Sequence, residues 1–301
     1  MIRSFALDSG WRIPKRFLEI KLFDGRDSSG LKEKKLLSWI DVNVNVSFST
    51  VANAYGMASQ ANVKIVGLKP ETMAYLSTSY KYWTKNPIYN EIEIDAGYEN
   101  QHGMIYKGTI IEAISDLNSA NFSISLKCIS QYRQREQDII SLSRKDVSVA
   151  DIVKDLAEMM GAAPIYTESA SKVIVKDYYL LNTSPEEHAR YLSYITGLNV
   201  FIDRNRLIAK EPDEYLEAIN ALDLDSTKII GAPMPTAQGC NVSIKMNPNV
   251  VSGQLIKLKS SRFPTINGNY IIGTYNHSGE TKGVKWVTNL NLIREHIYEK
   301  S

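Results

Sequence analysis

The sequence has few cysteines and lacks the motifs that identify common enzymes. Its two cysteines, Cys128 and Cys240, stand apart among strand-like residues. This placement predicts two buried thiols in a protein made in a reducing cytoplasm. A P-loop, a GxGxxG turn after a strand, a GxSxG elbow, an HExxH zinc motif and a paired CxxC are all missing. From the sequence we therefore expect no catalytic residue, no cofactor and no metal site.

An excess of one charge and long apolar runs are lacking as well. The 35 Lys and Arg residues nearly balance the 33 Asp and Glu residues, which leaves a net charge of +2. This balance excludes the broad basic surface of a dedicated nucleic-acid-binding protein. No apolar run approaches the roughly 20 residues that a membrane helix needs, and the N-terminus lacks the apolar core of a signal peptide. We expect no membrane partner.

Strand patterns are present at both ends of the chain. Residues 270–275 and 284–292 alternate apolar and polar side chains around the polar residues 276–283, which predicts a closing β-hairpin. Residues 104–114 and 122–129 show a similar pattern upstream. A chain of 301 residues has room for two or three domains. We therefore predict two similar β modules, one at each end.

The first module is predicted to span residues 1–130. Before its hairpin, it contains four strand patterns and one helix pattern, which begins after a proline, a residue favoured in the first turn of a helix. The predicted strands are residues 16–23, 39–48, 61–68 and 89–98, and the predicted helix is residues 71–81. This content is typical of a β-barrel or a β-sandwich closed on itself.

The rest of the chain divides into three parts that differ in composition and in strand and helix patterns. Residues 131–145 are charged and polar, which predicts a linker, and residues 146–212 predict a small α+β domain. Residues 213–301 contain a connector, which is rich in acids and then in proline and alanine, and the second β module. The predicted fold class is α+β, mainly β, with two antiparallel β-barrels flanking the small domain.

Two helices of the small domain have clear end signals. Ser148 and Ser184 each precede a helical pattern with acidic residues in its first turn, as helix N-caps do. Gly161 and Gly197 follow the last periodic residues, where glycine commonly ends a helix. The sequence therefore predicts a helix between each serine and the next glycine.

The histidines have a plain interpretation. His277 and Glu280 share the predicted loop, so acid–base chemistry is one hypothesis. A solvated loop is the favoured one, because the sequence places no third polar partner beside them. His102, His188 and His296 are likewise predicted to be solvated polar positions.

Two further sets of charged residues could form a binding site or could simply be solvated surface. Glu217, Asp223 and Asp225 could form a carboxylate metal site, but they lack the glycine and the spacing of a calcium loop. A solvated connector is therefore favoured. Lys257, Lys259 and Arg262, with the aromatic Phe263 beside them, could contact nucleic-acid phosphates. Three charges at alternating outward positions more often keep a strand edge soluble.

Three short runs in the last module give the most specific signal. They are Gly-Asn-Tyr-Ile-Ile at 268–272, His-Ser-Gly-Glu at 277–280 and Trp-Val-Thr at 286–288. Together with the order of β module, small α+β domain and β module, they resemble the baseplate hub proteins of contractile-tailed bacteriophages. The resemblance implies two tail-tube-like barrels per subunit and a homotrimer whose six barrels form a ring.

The resemblance also implies a structural virion protein of the tail baseplate, assembled in the host cytoplasm. Its partners would be the tail tube protein, the central spike protein and other baseplate proteins, and genomic DNA would pass through its lumen without specific binding. Three copies of a duplicated module present six near-equivalent surfaces to the hexameric tube and a threefold outline to the trimeric spike. The candidate ring or partner-facing residues are outward strand positions: Asp41, Glu91, Glu93, Asp95, Lys257 and Lys259.

Two other functions stay open at this point. One is a tail-associated cell-wall hydrolase that uses Glu280 or His277. The other is a glycan-binding module, suggested by the small α+β domain and the 17 tyrosines. A stable trimer in solution would favour the hub over both alternatives.

Overall fold

The computed structural model describes residues 15–24, 32–38, 45–53, 59–78, 89–116, 122–130, 140–204 and 206–294. Within them the chain has an α+β, mainly β fold, which confirms the predicted fold class. The longest helices of this part have 12 residues, and none is long and apolar enough to cross a membrane. Asp41, His296 and most of the predicted linker lie outside the described residues.

The described residues of the first β module form seven strands, all paired antiparallel in the order β2-β1-β5-β6-β7-β4-β3. Strands β4 and β5 alternate buried and outward residues as their period of two predicts. The elements are β1 (Arg16–Asp24), β2 (Lys32–Ser38), β3 (Asn45–Asn53), β4 (Gln60–Val66), α1 (Pro70–Thr78), β5 (Glu91–Tyr98), β6 (Gln101–Asp116) and β7 (Ser123–Ile129).

The middle region contains a two-stranded and a three-stranded sheet packed with helices. Strand β8 pairs with β10, and the second sheet has the order β11-β12-β9. The elements are β8 (Ile140–Ser148), α2 (Val149–Met160), β9 (Ala163–Tyr166), α3 (Glu168–Lys172), β10 (Ile174–Thr183), α4 (Pro185–Thr196), β11 (Asn199–Asp203) and β12 (Arg206–Lys210).

The predicted helix ends in this region are confirmed. The Ser148 hydroxyl accepts a hydrogen bond from the backbone N–H of Asp151, and Ser184 caps α4 in the same way. Gly161 and Gly197 end the two helices in the left-handed conformation, with φ of 62° and 74°. Local capping chemistry was sufficient to find both helices.

The predicted linker, in contrast, is wrong at its end. Residues 140–145 belong to strand β8, and Leu142 is buried in the core of the middle region. Strand β8 pairs with β10, whose residues lie 26 to 43 positions further along the chain than their partners. Its polar composition gave no local signal of that pairing, which depends on tertiary contacts.

The second β module has the strand order β13-β16-β17-β18-β15-β14, in which only β13 and β16 run parallel. Its elements are β13 (Leu222–Asp225), β14 (Met234–Pro235), β15 (Gly239–Lys245), β16 (Leu255–Lys259), β17 (Gly268–Glu280) and β18 (Trp286–Arg294). The predicted turn of residues 276–283 is wrong in its first half, because β17 continues to Glu280. The polar residues of that stretch pair with two neighbouring strands instead of turning.

The two β modules repeat one strand order. Six strands of the first module, β1-β5-β6-β7-β4-β3, correspond in sequence to β13-β16-β17-β18-β15-β14 of the second. All paired directions agree except for β1 and β13, since β1 is antiparallel to β5 and β13 is parallel to β16. The similarity of the two modules, which their hairpin patterns predict, is therefore also a similarity of topology.

The modules are not separate sheets. Strand β3 of the first module pairs with residues 274–280 of β17, which belongs to the second, so that 13 strands form one sheet. Met246 and Trp286 of the second module also lie in the apolar core of the first. The domain limits drawn from the sequence stay a prediction, but the modules are joined more closely than two consecutive barrels would be.

Candidate functional site

The junction between the modules is built around strand β17. One edge of β17 pairs with β18 over most of its length. The other edge pairs first with β16, through residues 268–271, and then with β3, through residues 274–280. A single strand thus contributes backbone hydrogen bonds to both modules, which resists their separation.

Trp286, next to the tip of the β17–β18 hairpin, anchors the hairpin in the core of the first module. The Trp286 indole N–H donates to the carbonyl oxygen of Gly97 at 2.8 Å, and its ring meets Phe48 edge to face at 5.5 Å. Arg16 stands over the same ring at 5.4 Å. Gly279 makes this packing possible, because a Cβ there would lie 2.5 Å from the Phe48 ring.

Arg16 also binds the backbone of the hairpin turn. Its Nη1 donates to the carbonyl oxygens of Glu280 and Gly283 at 2.8 and 2.6 Å, and its Nη2 donates to that of Val284 at 3.2 Å. One guanidinium at the start of the chain therefore fixes a turn that lies almost at its end. Charge-assisted bonds of this kind are stronger than neutral ones.

A second arginine joins the middle region to both modules. Arg204 lies in the turn between β11 and β12, with a left-handed φ of 56° that is uncommon for a residue with a side chain. Its Nη1 donates to the carbonyl oxygens of Met104 at 3.3 Å and Pro248 at 2.6 Å, and its Nη2 donates to that of Val250. Met104 belongs to the first module and the other two acceptors to the second, so Arg204 connects three parts of the chain.

The neighbouring Asp203 is almost wholly buried and completes this contact. Its carboxylate accepts hydrogen bonds from the Tyr275 hydroxyl at 2.8 Å and from the backbone N–H of Ser252 at 3.0 Å. The Arg204 Nε lies 3.7 Å from the same carboxylate. Burial raises the pKa of Tyr275, and the nearby Asp203 charge adds to this, so the phenol stays a hydrogen-bond donor. We call Asp203, Arg204 and Tyr275 the junction triad.

His277 lies beside the triad, and its predicted solvated position is wrong. Its ring is fully buried, and Nδ1 shares a 2.9 Å hydrogen bond with the Thr288 hydroxyl, while Nε2 has no hydrogen-bond partner. Burial, assisted by the Arg204 charge, lowers the pKa of His277 to about 3. His277 faces inward and Glu280 faces the opposite side of β17. The two cannot act together as an acid–base pair.

The neutral His277 makes stability depend on pH. In the unfolded chain the pKa of a histidine is about 6.5, whereas in the folded protein that of His277 is about 3. Below pH 6.5 the unfolded state therefore binds a proton that the folded state does not, and stability falls as the pH decreases towards 3. Replacing His277→Asn should reduce this slope by about 1.4 kcal/mol per pH unit. Denaturant unfolding between pH 7 and pH 4 measures the slope.

The control for this experiment is His102→Asn. The His102 side chain is 38% exposed and lies 3.1 Å from Asp95 at the surface. This variant measures the part of the slope that follows from removing any one histidine, and the His277 variant is compared with it. An unchanged slope in the His277 variant would show that another group controls the acid sensitivity.

The outer face of the joined sheet carries a hydrogen-bonded group of uncharged side chains. Across β15, β18 and β17, the Ser243 hydroxyl donates to Asn289, and the Asn289 amide donates to Asn276, both at 2.7 Å. One row away, the Asn291 amide donates to Asn241 at 2.8 Å. We call these five residues the amide face. Charged residues appear further along the same face: Lys64, Glu112 and Lys127 on the first module and Glu280 at the end of β17.

The residues predicted as ring or partner-facing surface lie on two separate strands. Glu91, Glu93 and Asp95 are half-buried on the outer face of β5, where Glu93 pairs with Lys107 at 2.8 Å and Asp95 with His102.

Lys257 and Lys259 are exposed on β16, as the alternation predicted. They stand in register with Asp223 and Asp225 of the adjacent β13. The two acids therefore belong to a strand rather than to an irregular connector. No group of three His, Cys, Asp or Glu side chains converges as a metal site among the residues that the structure describes.

Sequence reasoning missed the junction triad and the burial of two histidines. His188 is fully buried and shares a 2.9 Å hydrogen bond with the Tyr178 hydroxyl. Arg204 belongs to no motif that the sequence analysis singled out. A long cationic side chain at a position that favours glycine or asparagine was the one local signal of a special role.

Comparisons with known proteins give a family match and several structures of similar fold. The family model described as "Baseplate hub gp41" matches residues 29–291. None of the curated proteins matches the sequence. Among solved structures, a 43 kDa tail protein of prophage MuSo2 from Shewanella oneidensis is 9% identical, with a TM-score of 0.59 over 92% of this chain and 97% of the other.

Two further structures share the fold. A tail protein from Neisseria meningitidis MC58 is 9% identical, with a TM-score of 0.58 over 93% of this chain and 97% of its own. The E. coli c3393 protein, a type VI secretion component described as similar to T4 tail proteins gp27 and gp5, is also 9% identical. Its TM-score is 0.51, over 85% of this chain and 74% of its own. At such identities these likenesses concern the fold.

Proposed function

Because the chain belongs to the baseplate hub gp41 family, and is thus a phage tail baseplate component, we propose that three copies form a ring of six β modules in the virion. In this proposal the ring joins the hexameric tail tube to the trimeric central spike and contacts other baseplate proteins. It is assembled in the host cytoplasm and acts as a structural protein.

The repeated strand order is the observation that carries this proposal. Six strands occur in the same order in both modules. Three copies of a chain with two alike modules present six similar surfaces to a sixfold partner and keep threefold symmetry for a threefold partner. A chain without such a repeat could not match both symmetries in this way.

The junction supports the proposal, because a ring of this kind needs a fixed angle between the two modules of each chain. The shared strand β17, the Trp286 anchor and the junction triad all resist relative movement of the modules. These contacts would transmit mechanical force from the spike to the tube.

The amide face fits the wall of a channel for DNA. Each Lys or Arg that engages a phosphate adds salt-dependent affinity, and many such contacts would slow a moving duplex. Uncharged side chains that hydrogen-bond one another avoid this affinity. We propose that the amide face lines the lumen. Glu91, Glu93, Asp95, Lys257 and Lys259 remain candidates for contacts between subunits or with partners.

The hydrolase alternative loses its structural basis in the 276–283 region. His277 is buried in the core and Glu280 lies on the other face of the strand, so no substrate bond can lie between them. We do not retain it as a second candidate.

Light scattering tests the proposed assembly. The chain has a mass of 33.9 kDa, and we expect a species of three times this mass, at high concentration or with the tube or spike protein present. The exposed sheet edges favour association, since unpaired strand edges readily pair with another chain. A monomer under all these conditions, with partners included, would contradict the ring.

A further inference from the structure

We propose that β14 of one copy pairs with the edge of β6, at residues 112–115, of a second copy. This inference rests on the proposed function, because it names the contact that closes the ring of three chains. Its basis is the equivalence of the two modules, which allows a contact inside one chain to predict a contact between chains.

The equivalence can be followed residue by residue at β6 and β17. The backbone N–H of Ile110 donates to the carbonyl of Asn90 at 2.9 Å, and that of Ile272 donates to the carbonyl of Gln254 at 3.0 Å. The first bond lies where the pairing of β6 with β5 ends, and the second lies where the pairing of β17 with β16 ends. Each strand also has a bulge at the next residue, after Ile110 and after Ile272. Bulges at the same place in the two modules fix their register.

Beyond the bulge, the two strands differ in their neighbours. In β17 the edge opposite β18 is filled by β3 of the same chain. In β6 the corresponding edge, opposite β7, has no strand paired with residues 112–115 within the described part of the chain. Among the described residues, one of the two equivalent positions is therefore paired with a strand and the other is not.

The equivalent of β3 in the second module is β14. Ser49 of β3 lies opposite Asn62 of β4, and Met234 of β14 lies opposite Asn241 of β15. Cys128 of β7 and Leu292 of β18 lie opposite Ile110 and Ile272, the residues just before the two bulges. Their partners on the other side are Ala61 of β4 and Cys240 of β15, so the next residues, Asn62 and Asn241, are equivalent. Met234 thus corresponds to Ser49.

This correspondence predicts the register between chains. Within one chain, Val51 of β3 lies opposite Asn276 of β17. The equivalents of these two residues are Thr236 and Ile114. We therefore place Thr236 of one copy opposite Ile114 of a second copy, with Met234 on the same face two residues away.

The exposed apolar side chains of a single copy fit this contact. Ile114 is 58% exposed and Met234 is 63% exposed. Both project from the outer face of their strands, and in the predicted register they are diagonal neighbours, close enough for long side chains to touch. Pro233 and Pro235 lack N–H donors, so apolar burial and carbonyl acceptors would hold this contact rather than a full ladder.

Disulfide trapping tests the register. The variant with Ile114→Cys and Thr236→Cys should form covalent dimers and trimers on mild oxidation of the assembled protein, because directly opposite residues have the Cβ separation that a disulfide needs. The native Cys128 and Cys240 are buried. Each single variant should give no covalent trimer. A matched control combines Ile114→Cys with Tyr194→Cys, at a residue that is 85% exposed on α4, and should not cross-link into trimers.

A charge exchange gives an independent result. Ile114→Lys or Met234→Glu alone should raise the concentration needed for trimers at least about tenfold, whereas the two together should restore it. Both side chains are exposed in one copy, so the melting temperature of the monomer should not change. Val284→Lys, at a residue that is 96% exposed, is the control and should leave assembly unchanged.

The outcomes separate this inference from the function on which it rests. Trimers that neither cross-link nor respond to the charge exchange would overturn the β14–β6 contact and leave the hub proposal intact. A protein that stays monomeric with its tube and spike partners would overturn both. Trapped trimers together with charge rescue would support the contact.

Discussion

The variant Arg204→Asn is expected to lose about 3–5 kcal/mol of the free energy of unfolding, the usual cost of removing one partner from a buried ion pair. The Arg204 side chain is 13% exposed and that of Asp203 is 2% exposed. Removal of the guanidinium would leave the Asp203 carboxylate without its cation and the carbonyl oxygens of Met104, Pro248 and Val250 without this donor. Urea unfolding at pH 7 measures the loss.

Asparagine is chosen because it isolates the contact from the turn. Arg204 has a φ of 56°, and asparagine adopts this left-handed conformation more readily than most residues. The substitution therefore keeps the β11–β12 turn and removes only the long cationic side chain. Any loss of stability can then be assigned to the junction.

The matched control is Arg190→Asn on α4. Arg190 is 61% exposed and forms a surface ion pair with Glu187 at 2.7 Å. Such pairs contribute little, so this variant should lose less than about 1 kcal/mol. Equal losses in the two variants would show that Arg204 is no more important than an ordinary surface arginine.

The parts of the fold that depend on local signals could be predicted from the sequence. These signals come from residues that are close together in the sequence: the helix caps at Ser148 and Ser184 and the alternation of buried and exposed residues in β4, β5 and β16. The α+β, mainly β class followed from them. The pairing of β8 with β10 could not be predicted, because β8 is largely polar and its partner lies far along the chain.

The candidate site was harder to predict, because its residues are brought together only by the fold. Arg204 contacts residues that lie 44 to 100 positions away in the sequence. His277 was misplaced because a His-Ser-Gly-Glu run has the composition of a turn, yet β3, more than 220 residues earlier, pairs with it as a strand. Tertiary pairing outweighed turn chemistry at this point.

The second large effect is expected from Trp286→Ala. The side chain is 3% exposed and belongs to the core of the first module, although β18 belongs to the second. Its truncation should cost about 3–5 kcal/mol, because buried aromatic side chains leave cavities that the structure fills only in part. The loss should also weaken the coupling of the modules. Calorimetry is expected to show a broader or divided transition, as happens when parts of a protein no longer unfold together.

Two further variants identify which property of Trp286 is responsible. Trp286→Phe keeps most of the ring and removes the N–H that donates to Gly97 at 2.8 Å, so it should cost about 1–3 kcal/mol, the range for an unsatisfied buried acceptor. Val284→Ala alters the same hairpin tip at a residue that is 96% exposed and should cost less than about 0.5 kcal/mol. A small loss for Trp286→Ala with a single sharp transition would contradict the role of the hairpin tip in joining the modules. The shared strand β17 would then be sufficient for that connection.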